Sequence, residues 1–248
     1  MTFPRIQKAF LLRISALVWV VLTQACYITW EEPSEKAEPR GGVPSEAEQY
    51  RSAAEAGDIG AQINLGKVLL GTGSRHLQQE GFGWMKRAAE AGDVDAQAGL
   101  GMLYLEGIGT ERNDSEALVW IRKSAQAGSP TGQGAYGTLL SDGKIVHRDH
   151  EEAIKWWKKA ASQGDTNSQY DLGVMYYEGN GVEQDYNTAI TWWKRADAGG
   201  HDGAANHLGA CYEQGWGVER DLSTAKSFYK KAAEMGNKTA EDNLRRLR

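Results

Sequence analysis

Two cysteines and five prolines in 248 residues leave little room for a disulfide scaffold or for proline-rich architecture. The cysteines, Cys26 and Cys211, stand in unrelated contexts, one near the amino terminus and one inside a periodic segment. Four of the prolines fall before residue 45, so only Pro130 interrupts the remaining two hundred residues. There is no apolar stretch of the roughly 20 residues needed to cross a bilayer; the one apolar run, Ile14 to Leu22, is cut short by Arg13. A net positive charge is also lacking. The formal charge is −5, and it falls to about −8 if Arg5, Lys8 and Arg13 are removed with a leader, which argues against nucleic acid or an anionic surface as the main partner.

What is abundant is glycine and tryptophan, 30 and nine residues respectively, in a chain that is 41% hydrophobic. The amino terminus has a basic start, the apolar run, and Thr23-Gln24-Ala25 before Cys26, the three-part layout of a secretory signal peptide over 1–25. Cys26 after Ala25 resembles the acceptor of bacterial lipoproteins, although Leu22 lies four residues before it instead of three. Cleavage by the ordinary signal peptidase after Ala25 fits as well. If Cys26 is lipidated, Tyr27 in place of Asp implies sorting to the outer membrane, and the protein is periplasmic. Residues 26–46, with Pro33, Pro39, Pro44 and Gly41-Gly42, read as a flexible tether.

From Ala47 the chain repeats. A Leu-Gly or Tyr-Gly pair ends at Gly66, Gly101, Gly137, Gly173 and Gly209, and a second glycine recurs at Gly57, Gly92, Gly128, Gly164, Gly200 and Gly236, each series stepping by 35 and then by 36. Ala96, Leu100, Gly101 and Tyr104 share one helical face, as do Ser168, Leu172, Gly173 and Tyr176; this is helix A of each unit. Ala153, Trp156, Trp157 and Ala160 mark helix B, recurring as Ala189, Trp192, Trp193, Ala196 and as Ala225, Phe228, Tyr229, Ala232. Asn113, Asp149, Asp185 and Asp221 are placed to cap helix B, with Glu116 and Glu152 completing capping boxes, and Ser129-Pro130 starts a helix A. Lys158-Lys159, Lys194-Arg195 and Lys230-Lys231 complement the dipole in the last turn of helix B. The boundaries are a half unit at 47–57, units at 58–92, 93–128, 129–164, 165–200 and 201–236, and a closing helix at 237–248.

These residues, and the turns Gly179-Asn180-Gly181-Val182 and Gly215-Trp216-Gly217-Val218 above all, resemble the Sel1-like repeat family. A tetratricopeptide repeat lacks that glycine turn. Gly143-Lys144-Ile145 departs from it by one glycine, and the first unit lacks a residue and its acidic cap. The resemblance implies an all-α fold, a right-handed α/α solenoid (superhelix) of antiparallel helix pairs, whose concave surface binds protein. The same resemblance extends to small exported members acting as immunity proteins against type VI secretion effectors such as a periplasmic lipase, as envelope assembly adaptors, or as secreted host-interaction factors.

Recurrence at a fixed helical position makes the tryptophans core, and truncating Trp156 or Trp192 is expected to cost about 3–5 kcal/mol. Cys211 stands where other units have Val68, Leu103, Leu139 and Met175, a packing position. His147 and His150 are two histidines without a third ligand, and Asp149 between them is a cap, so no metal or cofactor is expected. Ser-x-x-Lys at Ser141, Ser223 and Ser227 lacks the companion motifs of a β-lactamase-like hydrolase, and no enzyme is expected. What varies between units is a set on helix A and its turn: Asn64, Glu106, Asp142, Asp171, Glu178, His207 and Gln214, an acidic stripe suited to a basic partner if it lines the concave face, or an ordinary solvated face if it does not. Trp216 is a turn residue open to two roles, binding anchor or packing against a neighbouring unit.

Overall fold

The computed structural model describes residues 43–247, and every regular element among them is helical. The expected signal peptide, Cys26 and nearly all of the expected tether lie outside the described residues. Twelve helices follow one another: α1 (Ser45–Glu55), α2 (Ile59–Leu70), α3 (Arg75–Glu90), α4 (Val94–Glu106), α5 (Asp114–Gln126), α6 (Pro130–Asp142), α7 (His150–Ser162), α8 (Thr166–Glu178), α9 (Tyr186–Ala198), α10 (Asp202–Gln214), α11 (Leu222–Glu234) and α12 (Lys238–Arg246). Even-numbered helices are the A helices of the sequence pattern and odd-numbered ones the B helices. The first helix begins at Ser45, two residues before the expected Ala47, because Pro44 is preset for the position before a helix.

The described residues divide into two compact units, 43–132 and 133–247. In the first, α1 packs on α2, α2 on α3, α3 on α4 and α4 on α5; in the second, α7 packs on α8 and so on to α12. Within each unit consecutive helices thus meet, which is how a repeat that cannot bury both faces alone builds a core.

One contact recurs in every repeat. The marker glycine of helix A faces the inner residue of the following helix B: Gly66 faces Met85, Gly101 Ile121, Gly137 Trp157, Gly173 Trp193 and Gly209 Tyr229. A Cβ at Gly137 would stand 2.8 Å from the Trp157 ring, so only glycine lets the two helices approach this closely. The indole N–H of Trp157 donates to Gly134 O, and that of Trp193 to Tyr170 O, both at 3.2 Å. Trp157 is 2% exposed and Trp193 0%. Trp156 and Trp192 are not core in this sense. They are half-buried, with Lys159 Nζ 3.9 Å from the Trp156 ring centroid and the Arg195 guanidinium 4.7 Å from that of Trp192. The adjacent i+3 and i+4 positions lie on different sides of the helix, and only one can face the glycine.

Caps fall where the pattern puts them. Asn113, Asp149, Asp185 and Asp221 accept backbone N–H groups at the starts of α5, α7, α9 and α11, while Ser74, at the start of α3, makes no such bond. The expected capping box at Asp149 is only half made, since the Glu152 carboxylate pairs with Lys155 at 3.0 Å. Asp58, Asp93 and Asp165 cap α2, α4 and α8, and the ring of His201 does so for α10. Gly164 and Gly236 have the left-handed φ expected of them. So does Gly181, whose turn closes on α7: a Cβ there would lie 2.5 Å from His150 Cβ. Ile145, at the matching point of the preceding turn, keeps a negative φ, so that turn takes a different shape.

Candidate partner-binding surface

In the first unit, Asn64 on α2 and Glu106 at the end of α4 are both half-buried. Burial pushes the Glu106 carboxyl above its usual range, with the Arg112 charge opposing. In the second unit, Asp142 ends α6 with its side chain 17% exposed and bound to Lys144 Nζ at 2.9 Å. Asp171 is half-buried on α8, Glu178 is exposed and accepts from Asn180 Nδ2 at 2.7 Å, and Gln214 is exposed at the end of α10. The acidic positions therefore lie at the carboxyl ends and open sides of A helices. Within the second unit α6, α8 and α10 carry no lysine or arginine of their own, and Lys144, in the turn after α6, pairs with Asp142.

His207 and Trp216 are held differently. His207 Nε2 is hydrogen-bonded to the Tyr170 hydroxyl at 2.8 Å, and its ring stacks on Trp193 with centroids 4.6 Å apart. Trp216 is partly buried against Tyr177, 5.4 Å away, and stacks on Tyr186 at 6.2 Å. Of the two roles open to Trp216, packing against the neighbouring repeat is the one seen. Both residues thus belong to an aromatic cluster with Tyr170, Tyr177, Tyr186 and Trp193 of α8 and α9, instead of standing out as separate contacts.

Two carboxylates of note escape the pattern. Glu213, 6% exposed, accepts from the Tyr229 hydroxyl at 2.8 Å and from Arg246 Nη2 at 2.7 Å. Arg246, with help from Tyr229, holds its carboxyl below the usual range against the opposing cost of burial. The signal was available: Glu213 stands four residues after its marker glycine, where other units have Leu70, Leu105, Ser141 and Tyr177. Asp165 is the second, raised by burial although it caps α8.

The chemistry of the remaining candidates is structural. Cys211 is 1% exposed, and burial pushes its thiol up to about 12, so it packs as a small hydrophobe and is no nucleophile. Ser141 Oγ meets His150 Nδ1 at 3.3 Å, while Lys144 is taken by Asp142, so Ser-x-x-Lys forms no reactive pair there. Among the described residues no group of three metal-ligating side chains is assembled, and no helix is long and apolar enough to cross a membrane.

Comparison with known proteins bears on the repeat and the fold. The family model described as Sel1 repeat matches five times, over residues 59–93, 94–129, 130–165, 166–201 and 203–237. No curated protein matches. Among solved structures, a Sel1 repeat protein from Oxalobacter formigenes is 30% identical with a TM-score of 0.70, the match covering 80% of this chain and 88% of that one. A protective antigen of uropathogenic Escherichia coli strains, displaying an SLR fold, is 33% identical with a TM-score of 0.69; the match covers 80% of this chain but spans only 43% of the antigen. An immunity protein from Pseudomonas aeruginosa, 18% identical with a TM-score of 0.57, is matched over 90% of this chain and 82% of its own, a likeness of fold alone. Five matches in one register, each on a glycine-faced helix pair of the same build, place this chain in the Sel1 repeat family, which generally serves as a protein-interaction scaffold.

Proposed function

We propose that this chain is an exported immunity protein that binds and neutralises a type VI secretion effector, such as a periplasmic lipase, through the A-helix side of its second unit. The observation that carries the reading is the charge of those helices: α6, α8 and α10 bear Asp142, Asp171 and Glu178 and no lysine or arginine of their own, while Lys144 in the turn after α6 pairs with Asp142. An acidic surface of this kind steers a basic-surfaced partner and raises its association rate. The reading is supported by a likeness of fold to two Pseudomonas aeruginosa proteins described as immunity proteins. Export through the signal peptide and an outer-membrane lipid anchor on Cys26 would put the domain where an effector arrives. Gln214, exposed at the end of α10, adds a polar contact to this surface of the second unit.

The test is capture of a secreted effector by the purified protein, followed by charge reversal of Asp142, Asp171 and Glu178 to lysine. Reversal should weaken capture by about 100-fold or more while the melting temperature stays near that of the parent. A deletion strain should be outcompeted by wild-type siblings when the secretion system is active. Normal competition by the deletion strain would sink the immunity role and leave an envelope adaptor or a host-interaction factor.

A further inference from the structure

Two basic residues close the last turns of every full-length B helix. The first unit has Lys86-Arg87 on α3 and Arg122-Lys123 on α5; the second has Lys158-Lys159 on α7, Lys194-Arg195 on α9 and Lys230-Lys231 on α11. The helix dipole favours a cation near a carboxyl end, which accounts for positive charge there but not for a doubled one. The later member of each pair lies over the outer tryptophan of its own helix in four cases: Arg87 on Trp84, Lys123 on Trp120, Lys159 on Trp156 and Arg195 on Trp192. The earlier members in the second unit, Lys158, Lys194 and Lys230, are exposed. Lys158, Lys159, Lys194 and Arg195 form no ion pair with any acidic side chain among the described residues, and Lys230 meets Glu234 only loosely, at 3.7 Å. The second unit is therefore polarised, α6, α8 and α10 acidic and the ends of α7 and α9 basic, while on α11 Lys231 pairs with Asp197 at 2.7 Å.

We infer that the basic B-helix ends of the second unit bind anionic phospholipid headgroups. The overall charge of −5 argues against this only if it is spread evenly. Salt screens the acidic side over about 8 Å, so headgroups meeting the B-helix ends feel the lysines first. Half-buried indoles ringed by lysine and arginine are the side chains that settle at a lipid–water boundary, apolar body inward and charge toward phosphate. The membrane is chosen over an acidic protein because of the proposed anchor at Cys26, and on this point the inference rests on that reading. The segment between Cys26 and Ser45 spans at most about 60 Å, which keeps a tethered domain within reach of the bilayer and at high effective concentration there. Docking in this way would leave the A helices of the unit available to a partner.

The test uses the full chain with Cys26→Ser, so that no acyl chain contributes, and vesicles of phosphatidylcholine with or without phosphatidylglycerol. Arg5, Lys8 and Arg13 of the amino-terminal apolar segment, which would themselves favour anionic lipid, are replaced by glutamine in every chain compared, so the quantity read is the gain on adding the anionic lipid. Sedimentation should show a gain of about tenfold or more that disappears in high salt. The triple variant Lys158→Gln, Lys194→Gln, Lys230→Gln should lose that gain, and a triple variant of equal charge change elsewhere, Lys67→Gln, Lys144→Gln, Lys226→Gln, should keep it; circular dichroism confirms that both are folded. Equal binding to both vesicles, equal loss in both triple variants, or equal capture by polyglutamate beads would each overturn the inference. Because Cys26 is absent from this experiment, its outcome is independent of whether the anchor exists.

Discussion

Adjacent tryptophans in one helix have unequal work in this protein, and burial ranks them. Trp193 is fully enclosed between Gly173, His207 and Tyr177, and Trp157 sits against Gly137 in the same way. Truncating either to alanine leaves a cavity beside a glycine that cannot fill it, and should cost about 3–5 kcal/mol in thermal melts. Trp192→Ala and Trp156→Ala, whose rings share their surface with a cation and solvent, should cost about 1–2 kcal/mol. Equal losses at inner and outer positions would contradict this ranking. Glu213 supplies the second residue-scale test. Its folded carboxyl is held below the ordinary value by Arg246, so its contribution is present above the unfolded value of about 4.3 and is lost as pH falls through the depressed folded value. In acid titrations followed by circular dichroism, Glu213→Gln should be less stable at neutral pH and should lose less of its remaining stability below pH 4 than the parent. A parallel acid profile would show that the pair contributes nothing to folding.

At the scale of the helix, the start of each B helix decides how firmly its repeat is closed. Asp185 accepts from the N–H groups of Asn187 and Thr188 and from the Thr188 hydroxyl, whereas Ser74 has the extended cap backbone but makes no cap bond. Replacing Ser74 by Asp should supply both the acceptor and a charge favourable to the helix dipole, raising stability by about 0.5–1 kcal/mol, while Asp185→Ala should lower it by about 1–2 kcal/mol. Chemical denaturation of the two variants distinguishes these outcomes; a destabilised Ser74→Asp would mean that the first repeat closes by some means other than capping. These elements were legible because glycine, cap and alanine positions are local requirements that recur every 36 residues. The side of helix B that each tryptophan occupies was not legible to the same degree, since Trp156 and Trp157 are equally apolar and only the neighbouring Gly137 tells them apart.

For the molecule as a whole, anchoring and partner binding are separable. Labelling cells with a clickable palmitate analogue should mark the wild type and spare Cys26→Ser; equal labelling of both, or of neither, would remove the lipid anchor and leave a chain cleaved after Ala25. The repeat count, the helical class and the membership in the Sel1 repeat family follow from the sequence by itself, because a repeat of this kind specifies its core through short-range spacings that survive without knowledge of the neighbours. The acidic positions from Asp142 to Glu178 were likewise readable as a variable set. Only the tertiary structure decided that His207 and Trp216 belong to an aromatic cluster, and that Glu213 is clamped by Arg246 on the closing helix. Each of these depends on side chains 16 to 39 residues apart meeting in space, and a spacing pattern within one repeat carries no information about which neighbour will be met.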